Sequence, residues 1–163
     1  MVEAKDDWTP EQKVKAWFEY CSAEDYDYHD ASVARFLKLE EVTFSPTGEA
    51  TTVFSFIVPR ELANANGSLH GGAVALIFDL TTSLSIVAQS RKGFWDGGHV
   101  SRTLNCTFLR PAPEGTKIFV ESKVVHLGKR MAQTTGTMKL GSKDGKVAYT
   151  CEHGKANAGA ASL

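Results

Sequence analysis

The chain has 163 residues, 42% of them apolar and 23% charged, with a formal net charge of -1. That length points to one domain, whose core can bury about 70% of the unfolded surface without staples. The composition excludes disorder, collagen and a small disulfide scaffold, and three scattered cysteines (Cys21, Cys106, Cys151) are too few for a disulfide framework or a zinc site.

Charge is unevenly spread. Residues 1–30 hold nine acidic and three basic residues, the remaining 133 ten and fifteen. The surplus of bases on the main body is too small to indicate nucleic acid. The acidic start argues against a transit peptide, and no secretory signal is evident, so the expected compartment is cytoplasmic or mitochondrial.

In chain order, Thr9-Pro10-Glu11-Gln12 is a capping box with proline at the first helical position. Val14, Trp17, Phe18 and Cys21 then recur at helical spacing, which predicts an amphipathic helix. Residues 24–30 break it, and Ala31–Phe36 has room for one further turn. Leu39, Val42 and Phe44 begin a strand that ends at the turn Ser45–Gly48. Thr51–Val58 is β-branched and aromatic, and the two strands read as a hairpin. After a polar loop, His70-Gly71-Gly72 opens an apolar helix running to about Ser90. Its uninterrupted apolar run, Ala73–Phe78, is far short of the roughly 20 residues needed to span a bilayer. Asp79 at its middle also argues for a buried helix and not a membrane one. The last third reads as strands over 99–109, 117–125, 132–140 and 146–153, followed by a small, polar, frayed end from Gly154. Short connections predict antiparallel neighbours throughout. One antiparallel sheet curled around a helix that is apolar nearly all round would cover most of it, and a second copy of the chain would cover the rest.

Two features of this helix can carry chemistry. Gly67, Gly71 and Gly72 let the backbone approach a ligand, and the first N–H groups of a helix have no internal partners, so they can hold a developing oxyanion. The alternative is a tight turn under packed structure. Asp79 is a carboxylate between Phe78 and Leu80, expensive to bury unless paired or working, and its apolar setting predicts a raised pKa. The alternative is a structural aspartate held by Thr82 or Ser83. Eight helical residues separate Gly71 from Asp79, about 12 Å along the axis. If both act on one substrate, two helices must meet antiparallel across a two-fold, and the active unit is a dimer.

The pattern Asn64-x5-His70-Gly71-Gly72-x6-Asp79, followed by strands with a Pro-Ala turn and a Gly-Lys-Arg turn, resembles the hotdog-fold acyl-CoA thioesterases. The likeness is to the small single-domain type that includes phenylacetyl-CoA thioesterases and thioesterase superfamily member 2. It covers roughly residues 37–156, leaving 1–36 as an N-terminal helical segment and 157–163 as a flexible tail. The resemblance implies an α+β hotdog fold and hydrolysis of an acyl-CoA to free acid and CoA. The Gly71 N–H would polarise the carbonyl, and Asp79 of the partner subunit would act as general base or nucleophile. Asn64 would hold the water or the carbonyl, His70 would flank the glycine, and Ser101 would assist the carboxylate. Gly72, Lys129 and Arg130 are candidate CoA contacts, with Arg91 and Lys92 as further phosphate candidates. Phe78, Phe94 and Trp95 are candidates to line an acyl tunnel. His29, His99, His126 and His153 read as structural, and Cys106 as core. No metal and no cofactor beyond the CoA of the substrate are expected. Partners are the acyl-CoA and further copies of the chain, as dimers that pair into tetramers. Two other readings stay open: a hotdog enoyl- or hydroxyacyl-thioester hydratase, which would need an Asp and a His together, and a non-catalytic acyl-CoA-binding module.

Overall fold

In the computed structural model, which describes residue 2 and residues 7–160, Thr9 closes the capping box. Its hydroxyl accepts from the Gln12 N–H at 3.2 Å, and the Gln12 side chain accepts from the Thr9 N–H at 2.7 Å. Helix α1 (Pro10–Ser22) follows, burying Val14 and Cys21, and α2 (Ala31–Ala34) adds one turn. The hairpin is β1 (Lys38–Phe44) with β2 (Ala50–Ile57). Helix α3 spans Gly71–Val87, and residues 88–90 continue it as a tighter turn. Strands β3 (His99–Phe108), β4 (Lys117–Leu127), β5 (Met131–Leu140) and β6 (Val147–Asn157) complete the chain up to a short turn at Ala158–Ala160.

The six strands form one antiparallel sheet in the order β1-β2-β4-β5-β6-β3, curled around α3. This is the α+β hotdog architecture. The core lies between sheet and helix, with Phe54, Phe56, Ile118, Val120 and Met138 from the strands meeting Val74, Ile77, Phe78 and Ile86 from α3. At Gly136 on β5 the helix comes so close that a Cβ would lie 2.5 Å from the Phe78 ring and 2.8 Å from Cys151 Sγ.

Two expectations are corrected. Strands β3 and β4 are joined by a short segment but are not neighbours, because β3 pairs with β6 at the far edge. The proline-bearing link Arg110–Thr116 makes its hydrogen bonds elsewhere. Ala112 C=O accepts from Leu69 N–H, and Pro113 bridges Ser68, so the link docks on the loop that leads into α3. Nor is the chain frayed from Gly154: β6 runs to Asn157 and pairs with β3 throughout Gly154–Asn157. Of the tail 157–163, residues 161–163 lie outside the described residues.

The N-terminal helix is tied to the end of α3. Lys13 is buried, and its ammonium donates to the Ser90 carbonyl at 2.6 Å. A cation there satisfies a carbonyl that the helix leaves open and complements the negative end of its dipole. Among the described residues no helix is long and apolar enough to cross a membrane.

The Gly136 contact gives a stability prediction. Gly136→Ala forces Phe78 or β5 to move, an overpacking cost of about 1–3 kcal/mol. Chemical denaturation of the variant should show a lower midpoint with an unchanged slope.

Candidate active site

At the start of α3, His70 is the N-cap residue. Its Nδ1 accepts from the Gly72 N–H at 2.9 Å, so the imidazole proton of the neutral ring sits on Nε2. The Gly72 N–H is therefore committed within the chain and is not offered to a ligand. The Gly71 N–H, one residue earlier, has no acceptor among the described residues. It stands at the positive end of a helix of 17 residues. Phe108, at the end of β3, lies against Gly71: a Cβ there would meet the ring at 3.4 Å. Asn64 lies in the preceding loop. Its Oδ1 accepts from Asn66 N–H at 2.9 Å and Ser68 N–H at 3.3 Å, leaving its amide NH2 free to donate.

Asp79 lies two turns further on. The sheet and α1 cover α3 except along one stripe, where Gly72, Ala75, Leu76, Asp79 and Ser83 are at least partly open. The carboxylate is thus 39% exposed on the one side of the helix that none of the described residues covers. Its Oδ1 accepts from the Ser101 hydroxyl at 2.6 Å, with Lys155 Nζ at 3.6 Å and His153 Nε2 at 3.4 Å. Ser101 reaches this position from the start of β3, beside a bulge at Arg102 that shifts the β3–β6 register. The structure therefore brings Asp79 and Ser101 together and leaves Asn64, His70, Gly71 and Gly72 at the other end of the stripe. Lys129 and Arg130 sit exposed in the β4–β5 turn, with their carbonyls accepting from Asn157.

The electrostatics correct one expectation. Burial alone would raise the Asp79 pKa, as the apolar helix suggested. The Lys155 ammonium, the Ser101 hydrogen bond and His153 together outweigh it and hold the carboxyl below its ordinary value. Burial and the neighbouring Lys155 charge push His153 down to about 4, so it is neutral at physiological pH. Its Nδ1 meets Thr82 Oγ1 at 2.7 Å in the core. His153 and Lys155 are the two site residues that sequence reasoning missed. Their signal was present in the alternation Cys151, His153, Lys155, which places all three on the helix-facing side of β6.

A cavity of about 700 Å³ opens beside Asp79. It runs along Leu80, Leu84 and Val87 of α3, walled by Trp17 and Cys21 of α1 and by Trp95. Of the tunnel candidates, Trp95 lines it. Phe78 does not: it is fully buried against Gly136. Lys92 stands at its edge, while the Arg91 guanidinium lies 4.3 Å above the Phe94 ring. Burial pushes the Cys21 thiol up to about 11 and Cys151 up to about 12, which leaves neither as a thiolate nucleophile.

Comparison with known proteins follows the same lines. The family model of the thioesterase superfamily matches residues 66–145. Human acyl-coenzyme A thioesterase 13 is 28% identical over 97 residues, covering 60% of this chain and 66% of the relative. The mouse protein is 27% identical over 94 residues, 58% and 64% of the two chains. The chain thus spans slightly less than two thirds of the curated relatives it matches. Among solved structures, zebra fish thioesterase superfamily member 2 superposes with a TM-score of 0.76 at 24% identity, covering 93% of this chain and 99% of that one. The PaaI protein of the Escherichia coli phenylacetic acid degradation operon gives 0.70 at 17% identity, covering 91% and 92%. The family model and the curated relatives place the likeness of this chain with the thioesterase superfamily, and the solved structures share its fold.

Proposed function

We propose that the protein hydrolyses acyl-CoA thioesters to free acid and CoA, with the reacting groups shared between two subunits. The observation that carries this reading is the open stripe of α3, with an unpaired Gly71 N–H at one end and the Asp79–Ser101 pair further along it. Within one chain the two stand about 12 Å apart on a helix, too far for one carbonyl. An antiparallel partner helix brings Gly71 of one subunit to Asp79 of the other and covers the stripe at the same time.

The thioester carbonyl then accepts from Gly71 N–H, with the Asn64 amide as a second donor to the carbonyl or the water. As general base, Asp79 takes a proton from water as the hydroxyl oxygen bonds to the carbonyl carbon. Charge develops on the carbonyl oxygen at the helix start, where a fixed donor stabilises it. Collapse expels the CoA thiolate, which recovers the proton from Asp79. As nucleophile, Asp79 attacks the carbonyl carbon and expels the CoA thiolate, and water then cleaves the resulting anhydride to the free acid and the Asp79 carboxylate, releasing the proton that the thiolate takes up. Lys129 and Arg130, on the sheet end where β3 begins, are the proposed contacts for the CoA phosphates. A hydratase would need a histidine facing substrate beside the aspartate. His153 is fully buried behind Asp79, bonded to Thr82, and His70 is turned to its own helix.

CoA release from acetyl- through palmitoyl-CoA and from phenylacetyl-CoA tests the reading. Wild-type turnover on at least one substrate, lost by about 10²-fold or more in Asp79→Asn with ligand binding retained, is the expected result. Native turnover in the variant would sink the mechanism.

Gly71→Pro tests the shared site. Gly71 is the first helical residue and His70 before it is extended, so proline fits without breaking the helix but removes the N–H. The expected loss is about 10²–10³ in kcat, the usual effect of deleting an oxyanion donor. Refolding a mixture of the two inactive variants, Gly71→Pro and Asp79→Asn, should restore activity, because a mixed dimer regains one intact site. No recovery from mixed dimers would place both groups within one chain.

A further inference from the structure

The Asp79 carboxylate takes its hydrogen bond and its nearest charged contact on one oxygen. Ser101 Oγ, His153 Nε2 and Lys155 Nζ all lie within 3.6 Å of Oδ1, and among the described residues no hydrogen bond is made to Oδ2. Lys155 sets this arrangement. Its ammonium donates to one lone pair of Ser101 Oγ at 3.1 Å, while the serine's single hydrogen is donated to Asp79. Lys155 is itself 3% exposed, on the last inward position of β6 opposite Ser101. A buried ammonium is costly without a counter-charge, and Asp79 is the carboxylate within salt-bridge range. We infer that Lys155 is a positioning residue for Asp79: directly and through Ser101 it anchors Oδ1 and keeps the group ionised, so that Oδ2 is the oxygen presented to water or substrate.

This rests on the proposed thioesterase reading and deepens it. Among the described residues, the other charged or titratable groups facing Asp79 or lining its cleft are Cys21 on α1, Tyr26 and Asp30 before α2, His99 on β3, His153 on β6, and Lys92 and Asp96 in the loop after α3. Burial and the Lys155 charge push His99 down to about 4. It and His153 are therefore neutral in the working range, and Lys155 is the cation that touches Asp79. Without it, burial of the carboxylate has less to oppose it, and protonation should begin at higher pH.

The test compares Lys155→Met with Lys155→Arg, measuring the pH profile of kcat/KM on the CoA thioester that the wild type cleaves fastest. In Lys155→Met the acid limb should move to higher pH. The loss relative to wild type should be about tenfold at pH 5 and within about threefold at pH 8, carried by kcat with KM little changed. Lys155→Arg should restore the limb. In parallel, ¹³C-carboxyl NMR should show the Asp79 resonance, assigned with Asp79→Asn, titrating below the ordinary aspartate range in the wild type and higher in Lys155→Met. An unmoved acid limb and an unmoved Asp79 titration in a folded Lys155→Met overturn the inference, as does a uniform loss of activity at every pH. If Lys155→Met fails to fold, a wild-type Asp79 that titrates at or above the ordinary range overturns it alone. If the wild type cleaves no thioester, the proposed function fails, and the NMR titration still decides whether Lys155 governs Asp79.

Discussion

A carboxylate in the middle of an apolar helix is stable only if something offsets its lost hydration, and here that is the contact of Asp79 with Lys155 and Ser101. The dependence is mutual, since the Lys155 ammonium is as deeply buried as the core residues around it. Other parts of the fold serve this pair. Strand β6 must run to Asn157 to carry Lys155 beneath α3, and the β3 bulge sets the local register in which Ser101 stands opposite Lys155. Thr82, one turn beyond Asp79, holds His153 as a neutral wall behind the carboxylate. A row of polar side chains thus crosses an otherwise apolar interior at one level of the helix.

The topology explains why that row ends at an open surface. Because the Arg110–Thr116 link docks on the loop before α3, β3 is carried to the outer edge of the sheet and does not lie beside β4. Ser101 near one end of β3 is then beside Asp79, and Phe108 at the other is beside Gly71. The strand follows the uncovered stripe of α3 along its length. Its free edge offers unpaired backbone groups, and Val100 and Phe108 are more than half exposed. Stripe and edge together make one surface that is apolar at its margins and carries Gly71, Asp79 and Ser101 along its middle. The proposed two-fold copy of the chain would satisfy both needs with a single contact.

Much of this was legible in the sequence because it depends on local chemistry. The Thr9 capping box, the hairpin turn at Ser45–Gly48 and the apolar helix opening at Gly71 are written in consecutive residues, and each forms as read. Asp79 was recognisable as a misfit in its own helix. What was missed depends on residues distant in sequence. The placement of β3 follows from where Ala112 finds a hydrogen-bond donor, 43 residues earlier at Leu69. The direction of the Asp79 pKa shift depends on Lys155, 76 residues later, in a stretch whose glycine, alanine and asparagine content suggested fraying. Phe78 could equally have faced a tunnel or the core, and Gly136 decides it by removing a side chain from the facing strand.

The N-terminal helix adds a separable element. The cavity beside Asp79 extends along α3 to Val87, about 12 Å of helix, and its far wall is α1. That wall is positioned by the Lys13 ammonium on the Ser90 carbonyl, by Val14 in the core and by Phe18 packed edge-on against Phe54 of β2. At its foot, the Tyr26 hydroxyl donates to the Asp30 carboxylate at 3.0 Å, a polar group at the end of a largely apolar groove. Asp79, Ser101 and Lys155 thus sit on α3, β3 and β6, whereas the far wall of the adjoining cavity comes from α1 and the segment after it, with Lys92, Trp95 and Asp96 at its margin. Changes in that segment can alter what the cavity admits without disturbing Asp79, because Ser101 of β3 and Lys155 of β6 hold the carboxylate.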